Sequence, residues 1–464
     1  MIPLYTNLLK PEEYGILELL TLTIDVISTI VGVGMAAAVM RFYYKYDEVE
    51  QRKSIVSSSL ISSLVIMAAT TLVSLLLCNR LTLLVFSSSQ YTGYLRLMII
   101  SMFFSAGIEI PLVYLRAKQK SVQFVVISTI RLLLSLTLNI VFLVILHKGV
   151  EGILYSGLIS SILISTYLLV ATLRDTGIRF NLGQVMDILK FGAPLLISDM
   201  SAFMLTFADR FFLNHYRNLE SVGLYSLAYK FGMLISVIFI VPFHQIWSAR
   251  MFEIARQEDA KEIISKILSY FLMGALFISL GLSVMTKDIL RLISNPSYWS
   301  AYSLVPLISL AYVLNGIIYV VGVGILVSEK TKFIAIATAI AMTVNLLFNF
   351  LLIPEWGKIG AAYSTFISYF VRVALIYYFS QKLFRINYNW KQMLQIGGIY
   401  CGIIVLFFAI KIEPLIISLV FCTALTLSFP LLLYFLGIFN QKEKAFLRTI
   451  IRNPKQIKQI LSGR

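Results

Sequence analysis

Charge is scarce in this chain. Asp, Glu, Lys and Arg make up 13% of its 464 residues, about half of what a soluble domain carries and too little to clothe a water-facing surface. Cysteine is nearly missing: Cys78, Cys401 and Cys422 lie in or beside apolar runs without paired spacing, which excludes a disulfide framework and offers no zinc pattern. His147, His215 and His244 are equally scattered. No metal site is legible and no cofactor is implied. The first residues do not read as a secretory signal peptide. Acidic residues are outnumbered by basic ones, 23 to 39, for a formal net charge of +16.

What fills the chain instead is apolar. Hydrophobic residues make up 59% of it and the mean hydropathy is +0.86. They come in blocks of about 20, the length at which a helix crosses a bilayer. The chain therefore reads as an all-α polytopic membrane protein. Spans are expected at about 15–40, 54–77, 94–115, 121–146, 152–173, 191–214, 221–247, 263–286, 300–327, 333–353, 359–380, 392–410 and 413–437. Their loops then alternate sides. One set, from 41–53 round to 382–391, holds 19 Lys and Arg, while the other holds 8. Basic loops stay in the cytoplasm, which puts the richer side and the C-terminus there. Most of the positive charge is this topology signal, and nucleic acid is excluded as a partner.

The chain also repeats itself. At a shift of 208 residues, "EEYGILEL" (12–19) lies over "ESVGLYSL" (220–227), pairing Gly15 with Gly223. "EQRKSI" lies over "EDAKEI" at the same shift, and "GILYSGLIS" (152–160) over "GAAYSTFIS" (360–368). One period shared by separate matches is the mark of duplication. Six helices per half give both halves one orientation, so the expected fold is two parallel six-helix bundles, 1–180 and 181–386. Two appended transmembrane helices (387–440) and a basic cytoplasmic tail (441–464) follow. The helix matching 191–214 would begin before Met1, so the first helix is expected to be truncated, with a natural start about 15–25 residues upstream.

No extramembrane segment is long enough to house a soluble catalytic site. The segments 174–190 and 248–262 are helix-compatible, amphipathic and expected along the cytoplasmic interface. Pro111, Pro194, Pro242 and Pro306 fall within spans, as kinks first and hinges second. The tail carries seven Lys and Arg, suited either to anionic headgroups or to simple solvation.

Charges inside the spans carry most of the functional argument, since each costs several kcal/mol in hydrocarbon. Asp25, Arg131 and Lys230 lie too deep to snorkel, Asp199 and Arg372 sit in the inner halves of their helices, and Asp209 and Arg210 are about a turn from the outer end. Glu109 is ambiguous. Either these groups pair and fix helix packing, or they line a wet cationic lumen between the halves. In the second reading Arg131, Arg210, Lys230 and Arg372 bind phosphate oxygens. Asp25, Asp199 and Asp209 then serve as titrating or ion-binding groups.

"PLYTNLLKPEEYG", "RFYYKYDEVEQRK", "FGAPLLIS", "ADRFFLNHYRNLESVGLYSLAYKFG" and "GKIGAAYSTFISY" resemble the bacterial polysaccharide-biosynthesis flippases. These are O-antigen-unit exporters in the superfamily (MOP) that also contains the multidrug-and-toxin-extrusion (MATE) transporters. The likeness runs from Met1 to about residue 440. It implies a MATE-like fold in the plasma (inner) membrane and transport rather than catalysis. The implied substrate is an oligosaccharide on undecaprenyl pyrophosphate, moved outward by alternating access. Membrane lipids, a polysaccharide polymerase and glycosyltransferases are the implied partners. A cation-coupled multidrug exporter is the alternative, although such a lumen should be acidic. A membrane glycan polymerase or ligase ranks lower, because it needs a larger outer loop.

Overall fold

A computed structural model describes residues 1–32 and 34–438; the basic tail at 441–464 lies outside the described residues. In chain order the α-helices are α1 (Ile2–Leu8), α2 (Pro11–Gly32), α3 (Met35–Lys45), α4 (Val49–Leu76), α5 (Cys78–Phe86) and α6 (Thr92–Ala117). Next come α7 (Ser121–Asn139), α8 (Gly149–Thr176), α9 (Leu182–Phe207), α10 (Asp209–Tyr216), α11 (Leu219–Ile235) and α12 (Val241–Ile254). The last six are α13 (Ala260–Ile293), α14 (Val305–Val321), α15 (Val323–Val327), α16 (Lys332–Leu383), α17 (Trp390–Ala409) and α18 (Leu415–Phe435).

Eleven helical stretches among the described residues are long and apolar enough to cross a membrane. A bent pair, Leu182–Pro194 and Asp199–Phe207 with 45° between its arms, raises this to twelve. One more expected span is contained in α16. Its 52 residues would reach about 78 Å, more than twice a hydrocarbon core. The backbone breaks at Gly357 (φ 55°, ψ −130°), in the left-handed half of backbone space that glycine tolerates. The segments 174–190 and 248–262, expected along the interface, are largely continuations of spans. There α8 runs to Thr176 and α9 starts at Leu182, while α12 runs to Ile254 and α13 starts at Ala260.

Contacts divide the chain into two compact units. The first comprises 1–227, 293–301 and 335–368. Its core joins α3, α4, α6 and α9 through Val39, Phe42, Ile55, Leu60, Val113 and Ile188. The buried serines of "SIVSSSLISS" position α9. Ser57 Oγ donates to the Gly177 carbonyl and accepts from the Arg179 N–H, and Ser58 Oγ accepts from the Asn181 N–H, each at 2.9 Å. Asn181 in turn caps α9 by accepting from the Gln184 N–H, satisfying a donor the first turn leaves open. At the break in α16, Arg217 donates to the carbonyls of Ile353 (3.3 Å) and Pro354 (2.5 Å).

The same unit holds a close helix crossing at two glycines. A Cβ on Gly15 would sit 2.0 Å from the Leu219 carbonyl oxygen, and one on Gly223 would sit 1.9 Å from that of Pro11. Only glycine permits such an approach of two backbones.

Among the described residues the second unit comprises 228–292, 302–334 and 369–438. Hydroxyls join its helices. Ser279 Oγ on α13 lies 2.8 Å from Ser309 Oγ on α14 and 3.1 Å from Tyr400 Oη on α17. Fully buried Asp288 on α13 accepts from Ser418 Oγ on α18 at 2.6 Å. Pro306 stands in the first turn of α14, where a missing N–H costs little, whereas Pro242 follows closely on a π-helical turn at 236–240 inside one continuous span.

Candidate functional site

In the second unit a polar and aromatic stripe runs along α14. Tyr312, Asn315 and Tyr319 are spaced three and four apart, so they share one helix face. Tyr312 packs edge-on to Tyr229 of α11 (5.6 Å between centroids) and at a tilt to Tyr369 of α16 (6.4 Å). One turn along, Arg372 Nη1 donates to Asn315 Oδ1 at 3.0 Å. One turn further, the His244 ring lies 3.9 Å from that of Tyr319, and Trp247 Nε1 donates to the Tyr319 carbonyl at 2.8 Å. Arg372 is half-buried, as is Lys230, which follows Tyr229 directly. Asn315 is neutral, so it orients the guanidinium without contributing a counter-charge. Arginine's planar fork of donors has the geometry that carboxylate and phosphate groups match.

In the first unit Asp209 and Arg210 form a closed cluster, each 1% exposed. Arg210 Nη1 is 2.6 Å from Asp209 Oδ1 and donates to the Thr206 carbonyl at 2.7 Å. The other carboxylate oxygen, Oδ2, accepts from Tyr225 Oη at 2.5 Å and from Thr365 Oγ1 at 3.2 Å. The guanidinium also lies 4.9 Å from the Tyr225 ring centroid, a cation–π distance. Opposite charges with full hydrogen bonding are how such groups survive burial. Beside this cluster lies an apolar cavity of about 510 Å³, lined by Thr23, Ile27, Leu84, Ala208, Phe212 and His215 among others.

The remaining sequence-derived residues stand apart. Asp25, Arg131 and Asp199 are exposed on α2, α7 and α9 respectively, and none of the three joins an ion pair among the described residues. Asp25 lies about 200° round α2 from Thr23, on the far side from the cavity. Glu109 is exposed on α6.

Comparison with known proteins places the chain. The sequence profile described as polysaccharide biosynthesis protein matches residues 1–254, more than half of its length. The chain belongs to that family. Among its relatives, an uncharacterized membrane protein, MJ1068, of Methanocaldococcus jannaschii is 23% identical over 299 residues, covering 61% of this chain and 54% of the relative. The probable low-salt glycan biosynthesis flippase Agl15 of Haloferax volcanii is 20% identical over 205 residues, covering 43% and 42%. The chain thus spans about half the length of the curated relatives it matches.

Solved structures agree on the fold. The lipid II flippase MurJ in an inward closed conformation superimposes with a TM-score of 0.76 at 17% identity, covering 94% of this chain and 96% of that one. An inward-facing MATE-family multidrug resistance transporter of the MOP superfamily gives 0.68 at 17% identity, covering 82% and 92%. This polysaccharide biosynthesis family member therefore has the MOP-superfamily fold that the sequence resemblance implied. Those matches with a stated activity are flippases and transporters rather than catalytic enzymes.

Several residues of this family member's polar interior escaped sequence reasoning. Asn315, Tyr225 and Thr365 are neutral residues in apolar runs, with nothing local to mark them. Asp288 had a signal: "KDILR" sets an acid three residues before Arg291 on one helix face, and their side chains are 3.7 Å apart.

Proposed function

We propose that this protein is a flippase that moves undecaprenyl-pyrophosphate-linked oligosaccharides across the plasma membrane for surface polysaccharide biosynthesis. Alternating access through a hydrated, positively charged chamber is the proposed mechanism. The observation that carries it is Arg372, presented by the neutral Asn315 within a stripe of tyrosines. The planar fork of an arginine suits phosphate oxygens, which a pyrophosphate supplies. Tyrosine hydroxyls and ring faces suit the attached sugars, which are too polar to cross hydrocarbon unaided. The family assignment and the glycan flippase among the relatives support the same reading.

In this mechanism Arg131, Lys230 and Arg372 take the pyrophosphate, and Arg210 joins them when its pair with Asp209 opens. Asp25, Asp199 and Asp209 are the titrating groups that couple the cycle to a cation. The excess of basic loops puts the Lys330 and Lys382 ends of α14 and α16 in the cytoplasm. Arg372 then lies in the inner half, where the substrate is made.

The test is glycan export in a deletion strain complemented with variants present at normal levels in the membrane. R131E/K230E should abolish export. R372K, which replaces a planar fork by a point charge, should lower it by roughly tenfold (about 1.4 kcal/mol). Wild-type glycan in the double variant would sink the chamber. A deletion strain with intact glycan but raised drug susceptibility would point to the multidrug exporter.

A further inference from the structure

The second unit carries a basic pocket that the transport path does not use. Its volume is about 680 Å³, within the range of small-molecule sites. It lies where α13 and α17 begin and α18 ends. Lys261, Lys266 and Lys391 stand at its rim, and Glu262, the one acid lining it, is 2.7 Å from Lys266. The balance is two uncompensated positive charges. Helices α13 and α17 both begin here, so the positive ends of two helix dipoles stand against the one negative end of α18.

The floor is built rather than incidental. Ser269 Oγ donates to Gln392 Oε1 at 3.1 Å, and Gln392 Nε2 donates to the Ile438 carbonyl at 3.1 Å. Ile438 reaches that point because the chain turns back after α18: the Ile438 N–H bonds to the Leu433 carbonyl and the Gly437 N–H to that of Tyr434, a Schellman closure. The pocket is therefore closed below by a hydrogen-bonded strut between α13, α17 and the end of α18.

Its surroundings identify the source of the ligand. Leu394, Phe435 and Leu436 are 75%, 77% and 61% exposed, although they flank a pocket lined mostly by polar and charged residues. In a bilayer such side chains meet acyl chains, and the ends of membrane-length helices sit at headgroup level. A cationic pocket between helix ends, bordered by exposed apolar groups, matches a phosphate that arrives on a lipid. We propose that this pocket binds the phosphate headgroup of an anionic phospholipid, with Lys261, Lys266 and Lys391 meeting the phosphate oxygens. The site is independent of the substrate path proposed above.

The experiment uses the full-length protein, purified in neutral detergent and titrated with phosphatidylglycerol while its Tm is followed. Phosphatidylcholine and glycerol phosphate serve as separate arms. Phosphatidylglycerol should raise the Tm saturably, whereas phosphatidylcholine and millimolar glycerol phosphate should not. In K261Q/K266Q/K391Q the half-saturating lipid concentration should rise by at least about tenfold, since each lysine near an anionic headgroup is worth roughly fivefold. Removing two exposed lysines elsewhere, K330Q/K332Q, should move it less than about twofold. If the triple variant does not fold, K391Q alone should show a shift of roughly fivefold. An unchanged midpoint in the pocket variants, or an equal shift in K330Q/K332Q, overturns the site. A matching Tm rise with glycerol phosphate overturns the lipid as its ligand.

Discussion

Gly15 and Gly223 press their backbones together in a reciprocal contact. A Cβ on Gly15 would strike the Leu219 carbonyl, a Cβ on Gly223 would strike the Pro11 carbonyl, and each would lie 3.1 Å from the other glycine's nitrogen. Leu219 follows Pro11 by the same 208 residues that separate the glycines. Two stretches matched in sequence therefore touch as a two-fold axis requires. A local two-fold axis between these two glycines would produce that reciprocity.

Symmetry makes the first prediction unusually specific. Gly15→Ala and Gly223→Ala should each lower stability by about 1–3 kcal/mol through overpacking, and by nearly equal amounts. The double variant should lose clearly less than the sum, because either methyl already forces the helices apart. Thermal unfolding in detergent measures all three. A tolerated alanine at one glycine and collapse at the other would refute the two-fold reading.

Asp209 and Arg210 yield the second. Asp209→Leu or Arg210→Leu alone strands a buried charge and should cost about 3–5 kcal/mol. The double variant D209L/R210L should recover most of that loss, as replacing both members of a buried pair often does. Tyr225→Phe removes one donor and should cost about 1–2 kcal/mol. If the double variant is as unstable as the single ones, the two charges do not stabilise each other. Should it be stable but unable to export glycan, the pair opens during transport.

Asp288 is the third. Its carboxylate holds Ser418 of α18 and is approached by Cys422 Sγ at 3.7 Å. Asp288→Ala should weaken the attachment of α18 by about 1–3 kcal/mol. Hydrogen exchange over Leu415–Phe435 should then quicken by roughly tenfold, the rate equivalent of 1.4 kcal/mol. Asp288→Asn keeps an acceptor for Ser418 and should show a smaller change. Uniform exchange across the whole chain, rather than in α18, would rule out a local role.

Residue order alone made the membrane class, the helix spans and the family resemblance legible, and it showed the 208-residue period. These follow from local runs of apolar residues, from loop charge and from a fixed period, none of which needs a partner to be known. The chief surprise in span count was α16, where a single helix by hydrogen bonding holds two spans by length, separated at Gly357.

Partners were a different matter. Consecutive residues on a helix diverge by about 100°, so nothing in "DR" announces that Asp209 and Arg210 meet; they do so where Asp209 opens α10. The acceptor for Arg372 and the donor to Asp288 come from residues 57 and 130 positions away. Composition and periodicity determined that the chain crosses the membrane and repeats itself, because hydrophobic burial in a bilayer is read segment by segment. Tertiary structure decided which groups the embedded charges meet, a carboxylate for Arg210 and an amide oxygen for Arg372. That distinction depends on distances of a few ångströms between helices far apart in sequence.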